Sequence, residues 1–161
     1  VTADRLRMLE LQPLKGNFDL KHLCNIHKFI FKDIYPFAGE LRNEDISKGN
    51  FRFAHFRFIV PQTNLLLDEL KREHYLQDLS PDEFATRLAH YLTELNVIHP
   101  FREGNGRVLR EFVRCLALRA GYTINWSDVD PEKMLKVMVQ SPNDNSALID
   151  VLQALVKKSP K

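Results

Sequence analysis

The sequence predicts an all-α fold, a bundle of helices that carries one β-hairpin. Most of the chain places apolar residues at the spacing of amphipathic helices, and several segments begin with helix-capping residues. Only one stretch, between residues 41 and 59, alternates in the manner of β-strands. With 161 residues and 44% hydrophobic content, the chain is long enough to bury one substantial core. We therefore predict a single domain over residues 1–161.

Three helices are predicted in the first half of the chain. One covers Thr2–Leu11, and the next runs from a cap at Asp19 to about Lys32. Pro61 opens the third helix, which extends to about Tyr75. The second helix has the clearest buried face, which is formed by Leu20, Leu23, Ile26, His27, Ile30 and Phe31.

Four more helices follow in the second half. Residues 80–83, Ser-Pro-Asp-Glu, combine an N-cap, a proline at the first helical position and a glutamate three residues after the cap. The helix that they start ends before His99, and the next extends from about Asn105 to a terminating Gly121. Residues 130–132 start another helix, and the last begins near Ser141 and runs to about Lys157.

The hairpin is predicted from two alternating segments, Leu41–Ile46 and Phe51–Ile59, which flank a turn at Ser47–Asn50. The alternation changes phase near Ala54–His55, which indicates a bulge or the end of a strand. An isolated hairpin is not stable in water, so this one is expected to lean on the helices.

The stretch that carries most chemistry is residues 99–110, which read HPFREGNGRVLR. It forms a turn between two predicted helices and feeds the start of the second. Gly104 and Gly106 lack a Cβ atom, so the backbone there can approach a ligand closely. The helix start offers free N–H groups and partial positive charge, which bind anions. Arg107 and Arg110 share one helix face and can both bind phosphate oxygens.

Two other side chains in this stretch suit nucleotide chemistry. His99 titrates near neutral pH and can act as a base, while Pro100 stiffens its turn. Glu103 can hold a Mg²⁺ ion that bridges two phosphates. Each group also has a structural interpretation: a buried histidine, a carboxylate that compensates the helix dipole, and arginines on a solvated face. Their combination in one short stretch favours group transfer from a nucleotide.

Residues 99–110 match the signature of the Fic family, His-Pro-Phe-x-(Asp/Glu)-Gly-Asn-Gly-Arg-x-x-Arg, at every defined position. Residues 46–53 are similar to the hairpin that borders the active site in that family, the flap, which here covers residues 41–59. The resemblance implies a Fic fold with the flap beside the active-site loop and its helix, residues 99–120.

The resemblance also implies an activity and a role for each residue. A protein adenylyltransferase moves AMP from ATP, with Mg²⁺, to a tyrosine, threonine or serine hydroxyl of a target protein and releases pyrophosphate. The target docks by β-augmentation on the flap. His99 is then the base, Glu103 the metal ligand, and the nucleotide is bound by Gly104, Asn105, Gly106, Arg107 and Arg110 and, from the flap, by Lys48 and Gly49.

Other activities occur on the same fold. In the Doc branch a lysine replaces the second glycine and the reaction becomes phosphorylation, whereas this chain has Gly106. Transfer of UMP or phosphocholine remains an alternative, and so does a non-catalytic module that binds a nucleotide or a partner protein. An intact His99 weighs against a pure binding module, which needs no base.

Regulation is expected to come from a second chain. Many Fic proteins are inhibited by a helix with the pattern (Ser/Thr)-x-x-x-Glu-(Gly/Asn), which is absent between Val1 and Lys161. Either an antitoxin chain supplies this helix or a removed terminal segment carried it. Residues 120–122 are similar to the bacterial toxin branch, which favours a toxin with a separate antitoxin.

Composition excludes several other classes. The formal net charge is +2, from 23 basic and 21 acidic side chains, so no direct nucleic-acid binding and no membrane binding are expected. Cys24 and Cys115 lack the spacing of a disulfide framework and indicate a reducing, cytoplasmic setting. Delivery to another cell is the alternative if the chain is part of a larger effector.

Overall fold

Seven α-helices account for most of residues 1–160, the part of the chain that the computed structural model describes. This confirms the all-α prediction. The helices are α1 (Thr2–Leu11), α2 (Leu20–Phe31), α3 (Ile59–Arg72), α4 (Pro81–Ile98), α5 (Asn105–Ala120), α6 (Pro131–Gln140) and α7 (Ser146–Leu155).

The centre of the bundle is α4, which packs against α3, α5 and α7, while α5 packs against α2. Four phenylalanines and a tyrosine, from several parts of the chain, are completely buried in one contiguous core. Burying a side chain of this size stabilises the folded state by about 1.5–3 kcal/mol. They are Phe31, Phe84, Tyr91, Phe101 and Phe112.

The helix ends follow the predicted capping residues. The carboxylate of Asp19 accepts a hydrogen bond from the His22 N–H at 2.9 Å and starts α2. The Ser80 hydroxyl accepts one from the Glu83 N–H at 3.3 Å and starts α4, with Pro81 at the first helical position. Gly121 ends α5 with φ +90°, a left-handed conformation that glycine adopts without strain.

The hairpin exists but is much shorter than predicted. Strand β1 (Ser47–Lys48) pairs antiparallel with β2 (Phe51–Arg52), and a two-residue turn joins them. The prediction that strands extend over Leu41–Ile46 and Phe51–Ile59 was wrong. Backbone groups in these segments form hydrogen bonds with the motif loop (residues 99–104) and the end of α4. The Arg42 N–H donates to the Pro100 carbonyl, and the Ala54 N–H donates to the Val97 carbonyl. Residues 56–58 form a 3₁₀ turn that leads into α3.

The C-terminal region differs from the prediction in two ways. The last helix begins at Ser146 and not near Ser141, because the N–H groups of Asn143 and Asp144 both donate to the Gln140 carbonyl in a turn. It ends at Leu155, after which β4 (Lys157–Lys158) pairs antiparallel with β3 (Tyr122–Thr123). Each strand has only two residues, too few to show a period in the sequence.

The cysteines are unpaired among the described residues, with Cys24 half-buried and Cys115 buried. Burial raises the pKa of both thiols, that of Cys115 to about 12, so neither is a reactive thiolate at neutral pH. Searched from residue 1 to residue 160, the chain has no helix that is both long and apolar enough to cross a membrane.

Candidate active site

His99 lies at the end of α4 in a left-handed backbone conformation, with φ 50° and ψ 66°. Its Nδ1–H donates to the Asn96 carbonyl at 3.2 Å, and because a carbonyl only accepts, the proton is fixed on Nδ1. Nε2 is therefore the nitrogen with a free lone pair. The ring stacks on Phe53 of the flap, with centroids 3.7 Å apart and planes 12° apart.

The environment of His99 keeps the imidazole neutral. Burial is the main cause that lowers the pKa of His99, which falls to about 4, and the Asn96 carbonyl opposes the shift. The positive charges of Arg42 and Lys48 lower this pKa further. At pH 7 the side chain is unprotonated, which is the form that a general base requires.

The motif loop, residues 99–104, is held by buried contacts. Phe101 is fully buried and stacks on His27 with ring centroids 4.2 Å apart. Gly104 has φ +81°, and a Cβ atom there would lie 2.3 Å from the Phe31 ring. Both the conformation and the close approach require glycine. The loop is therefore a rigid support for the residues on either side of it.

The side chain of Asn105 closes the motif loop. Its side chain is 3% exposed, accepts from the Phe101 N–H at 2.9 Å and donates to the Phe101 carbonyl at 2.7 Å. The side-chain amide is thus used to close the motif loop. What Asn105 offers a ligand is its main-chain N–H at the start of α5.

The start of α5 presents unbonded donors. The first hydrogen bond within the helix is donated by the Val108 N–H to the Gly104 carbonyl at 3.2 Å. The N–H groups of Asn105, Gly106 and Arg107 precede it and have no acceptor in the helix. Gly106 is exposed, so a ligand can reach this end of the helix directly.

A cavity of about 930 Å³ lies between the flap, α4, α5 and α6. Part of its lining is polar and includes cationic side chains. Arg107 and Arg110 make no ion pair with any carboxylate in residues 1–160, and burial together with Arg107 lowers the pKa of Arg110. Two such guanidinium groups favour a bound anion. The predicted residues that line the cavity are Lys48, His99, Gly106, Arg107 and Arg110.

Another part of the lining is apolar, and it was not predicted from the sequence. It is formed by residues from α4, α5, the segment after β3, and α6. Trp126 is fixed by its Nε1–H, which donates to the Arg110 carbonyl at 3.1 Å. The single tryptophan was the available signal, although no periodicity marked it. The apolar lining residues are Leu92, Leu109, Ile124, Trp126, Met134 and Leu135.

Four predicted residues lie outside the cavity lining: Gly104 and Asn105, described above, and Gly49 and Glu103. Gly49 forms the turn of the hairpin with φ +60°, and no atom would lie within 4 Å of an added Cβ. Glu103 is exposed, and its carboxylate makes no hydrogen bond or ion pair with residues 1–160. Its main-chain carbonyl accepts from the Nε2–H of His27 at 2.9 Å.

His27 was predicted only as a buried residue of α2, but it also supports the site. Its Nδ1 accepts from the Gly39 N–H at 2.9 Å while its Nε2–H donates to the Glu103 carbonyl. Burial lowers the pKa of His27, so the ring is neutral. It joins α2, the start of the flap region and the motif loop.

Arg114, four residues after Arg110 on α5, is not a solvated arginine. Its guanidinium makes two hydrogen bonds to the Glu111 carboxylate, at 2.9 and 2.8 Å, and one to the Leu9 carbonyl. Its side chain is 12% exposed. Arg114 lines the cavity but its donors are already used, in contrast to Arg107 and Arg110.

Fold and site together define a class of helical domain in which a histidine-bearing loop feeds a helix start built to bind an anion. A family model described as the Fic/DOC family matches residues 17–117. The chain belongs to the Fic/DOC family.

Relatives with assigned names agree with this membership. The chain is 42% identical over 156 residues to "Protein adenylyltransferase VbhT" of Bartonella schoenbuchensis, covering 96% of this chain and 32% of that protein. It is 40% identical over 161 residues to "Probable protein adenylyltransferase Fic" of Salmonella typhimurium, covering 99% of this chain and 77% of that protein. The chain thus spans about a third of VbhT and about three quarters of the Salmonella protein.

Solved structures show the same fold. The N-terminal Fic domain of a VirB-translocated Bep effector protein from Bartonella quintana, with bound ADP, superposes with a TM-score of 0.89. That match is 28% identical and covers 98% of this chain and 82% of the other.

Proposed function

We propose that this chain is a protein adenylyltransferase, which transfers AMP from ATP to a hydroxyl side chain of a target protein. One observation carries the proposal: the free Nε2 belongs to a histidine that lines the same cavity as two unpaired arginines. A base beside an anion site is what transfer of a phosphate-containing group to an alcohol requires. The names of the relatives at 40–42% identity support the same activity.

In the reaction, Nε2 of His99 takes the proton of the target hydroxyl. The oxygen then attacks the α-phosphorus of ATP, the bond from that phosphorus to the bridging oxygen breaks, and pyrophosphate leaves with the electron pair. Negative charge on the phosphates faces the free N–H groups at the start of α5 and the side chains of Arg107 and Arg110. Because these donors are fixed before substrate binds, they need little reorganisation during the reaction.

The nucleoside is proposed to lie against the apolar part of the cavity lining. Trp126 and Met134 offer the flat and polarisable surfaces that a purine base packs on. The bound ADP in the Bartonella quintana domain supports an adenine nucleotide. Lys48, which reaches the cavity from β1, is proposed to contact the phosphates from the flap side, while Gly49 serves the turn and is a weaker candidate.

Mg²⁺ is proposed to bind Glu103. The described residues contain no group of three acidic, histidine or cysteine side chains that could enclose a metal ion by themselves. A single free carboxylate nevertheless suits Mg²⁺, which is commonly held by one carboxylate together with substrate phosphates and water. When bound, the ion neutralises phosphate charge and stabilises the departing pyrophosphate.

The target is proposed to dock on the flap. Strands β1 and β2 pair only with each other among residues 1–160, so the hairpin retains a free edge to which an extended target segment can add. The hydroxyl residue of that segment would then meet His99, whose ring already stacks on Phe53 of the flap.

Isotope placement tests the activity. The chain is incubated with a bacterial lysate, Mg²⁺ and ATP labelled either at the α- or at the γ-phosphate. AMP transfer predicts protein labelling from α-labelled ATP alone, with an added adenylyl mass on the target. Labelling from γ-labelled ATP would instead show phosphorylation. Absence of any labelling, with ATP still bound, would indicate a non-catalytic module.

We further propose that residues 1–161 act as one domain in the cytoplasm, as the toxin of a toxin–antitoxin pair. The free cysteines suit the reducing setting of the cytoplasm. Expression of the chain alone should arrest bacterial growth, and co-expression of its antitoxin should restore growth. If the chain were active only after deletion of a segment of its own gene product, the two-chain account would fail.

A further inference from the structure

Arg42 is a buried cation without an acidic partner. It lies in the first arm of the flap, residues 41–46, and only 5% of it is exposed. Its guanidinium makes no ion pair with a carboxylate in the described part of the chain. Burial lowers the pKa of Arg42, and the nearby Asp45 charge opposes the shift. Such a cation is costly to bury unless its donors are well satisfied.

Main-chain carbonyl groups satisfy these donors. Nε–H donates to the His99 carbonyl at 2.7 Å, and a second nitrogen donates to the Ile98 carbonyl at 3.0 Å. Both acceptors lie at the end of α4, where carbonyls lack helical partners and carry partial negative charge. Arg42 therefore caps the helix that ends at His99.

The other two bonds go beyond a helix cap. Arg42 donates to the Glu44 carbonyl at 2.9 Å and to the Ala54 carbonyl. Glu44 precedes the hairpin, and Ala54 lies in the second arm of the flap, residues 53–58. One planar guanidinium thus joins both arms of the flap to the backbone of His99. The fixed fork of arginine suits four such acceptors, whereas a lysine ammonium is a single point donor.

Two neighbouring contacts depend on the same alignment. The Ala54 N–H donates to the Val97 carbonyl at 3.1 Å, and the Phe53 ring stacks on the His99 ring. His99 itself holds a left-handed conformation, which a non-glycine residue keeps only where its surroundings fix it. Arg42 bonds directly to the carbonyl groups of Ala54 and His99, which take part in these contacts.

We infer that Arg42 is a positioning residue that fixes the flap at a set distance from the imidazole of His99. This inference rests on the proposed function, in which the flap presents the target hydroxyl and His99 receives its proton. Arg42 contacts neither the nucleotide cavity nor the proposed metal ligand. Its loss should therefore affect the meeting of target and base and leave nucleotide binding intact.

The first experiment compares Arg42→Lys with Arg87→Lys. Arg87 is a suitable control because its guanidinium is partly buried and makes two hydrogen bonds, at 2.8 and 2.7 Å, to Glu73. Glu73 directly follows α3. Arg87 lies eleven residues before Ile98, or about 16 Å along the helix. Both changes replace the branched guanidinium with an ammonium group of the same charge, so both are expected to lower the free energy of unfolding.

Arg42→Lys is expected to reduce the rate of protein labelling from α-labelled ATP by about ten- to a hundredfold, since small misplacements of reacting groups have effects of that size. The KM for ATP should stay within about twofold, and the Ala54 N–H should exchange with solvent at least about tenfold faster. Arg87→Lys should leave all three unchanged. Wild-type labelling and exchange in Arg42→Lys would overturn the inference.

A measurement on the unaltered chain covers the case in which Arg42→Lys does not fold. The Nε–H of Arg42 should exchange as slowly as core amides, whereas that of exposed Arg52 should exchange rapidly. Equal, rapid exchange at both would overturn the inference. The two proposals can fail separately. The proposed function fails if the unaltered chain transfers no AMP. The positioning role of Arg42 still stands in that case if its Nε–H is protected from exchange and Arg42→Lys makes the Ala54 N–H exchange faster.

Discussion

The two walls of the site are built by different means. The motif loop is fixed by side chains in the core, with Phe101 buried and Asn105 bonded to the backbone of Phe101 on both sides. The flap has a hairpin of two-residue strands with open space beside Gly49 in its turn, and Arg42 bonds it to the end of α4. The wall proposed to bind phosphate is therefore rigid, and the wall proposed to meet the target depends on few contacts.

This difference suits the two ligands. ATP is the same molecule in each reaction, so donors fixed in advance stabilise its transition state without reorganisation. A protein target brings its own backbone, and a short edge with few side-chain contacts accepts different segments. Four predictions test the comparison.

The largest effect is expected for His99→Ala. Loss of the base should slow AMP transfer by about a hundred- to ten-thousandfold, while ATP still binds because the donors of α5 remain. The rate of labelling from α-labelled ATP and the Kd for ATP measure the two properties. His90→Ala is the control, since this α4 histidine bonds to Glu69 outside the cavity. Transfer by His99→Ala at the normal rate would remove His99 from the mechanism.

A matched pair of glycine variants compares the walls directly. Gly104→Ala combines a positive φ with a clash against Phe31 and should lower the free energy of unfolding by about 2–5 kcal/mol. Gly49→Ala has a positive φ but open space around it, so its cost should be only about 1–2 kcal/mol. Urea denaturation of both variants measures the difference. Equal losses would mean that the motif loop is no more tightly packed than the flap.

The pH dependence follows from the lowered pKa of His99. Because the base acts when neutral and its pKa is about 4, kcat/KM should stay level from pH 8 to about 5 and fall below that. The free energy of unfolding should change with pH in the same direction as kcat/KM. Between pH 6.5 and about 4, the histidine binds a proton in the unfolded chain, where its pKa is 6.5, but not in the folded protein. The free energy of unfolding should therefore decrease as pH falls from about 6.5 to about 4. An acid limb of kcat/KM centred near pH 6.5 would contradict this environment for His99.

The smallest effect is expected for the ion pair between Arg102 and Glu44, 2.7 Å apart, which joins the motif loop to the flap on the surface. Both side chains are at least half exposed, so the coupling energy in a double-mutant cycle with Arg102→Ala and Glu44→Ala should be below about 1 kcal/mol. High salt should reduce it further. A coupling well above that value would mean that surface charge, and not Arg42, holds the flap.

The sequence predicted what is local and missed what is distant. Caps at Asp19, Ser80 and Gly121 and the turn at residues 99–104 involve neighbours along the chain, and their signals are short. The support from His27 and Arg42 spans 76 and 57 residues, and no pattern in one sequence connects such positions. In the sequence, Arg42 is only one position of an alternating segment that predicts a strand. Nothing in that pattern indicates that its side chain donates to four main-chain carbonyls.

The hairpin shows why propensity alone failed there. Residues 41–46 and 53–58 alternate as strands do, but their backbone groups bond to the motif loop and to the end of α4. Tertiary contacts overrode a local preference, as is common for short strands. Trp126 begins a three-residue 3₁₀ helix, Trp126–Asp128, and its indole is fixed by the distant Arg110 carbonyl.

The most direct test of the account is a crystal structure of the chain with Mg²⁺ and an ATP analogue that carries a methylene group between its α- and β-phosphorus atoms. We expect the α-phosphorus opposite Nε2 of His99, with room for one hydroxyl oxygen between them. The adenine ring should lie against Trp126. A γ-phosphorus opposite Nε2, or a nucleotide bound elsewhere on the protein, would contradict AMP transfer by this site.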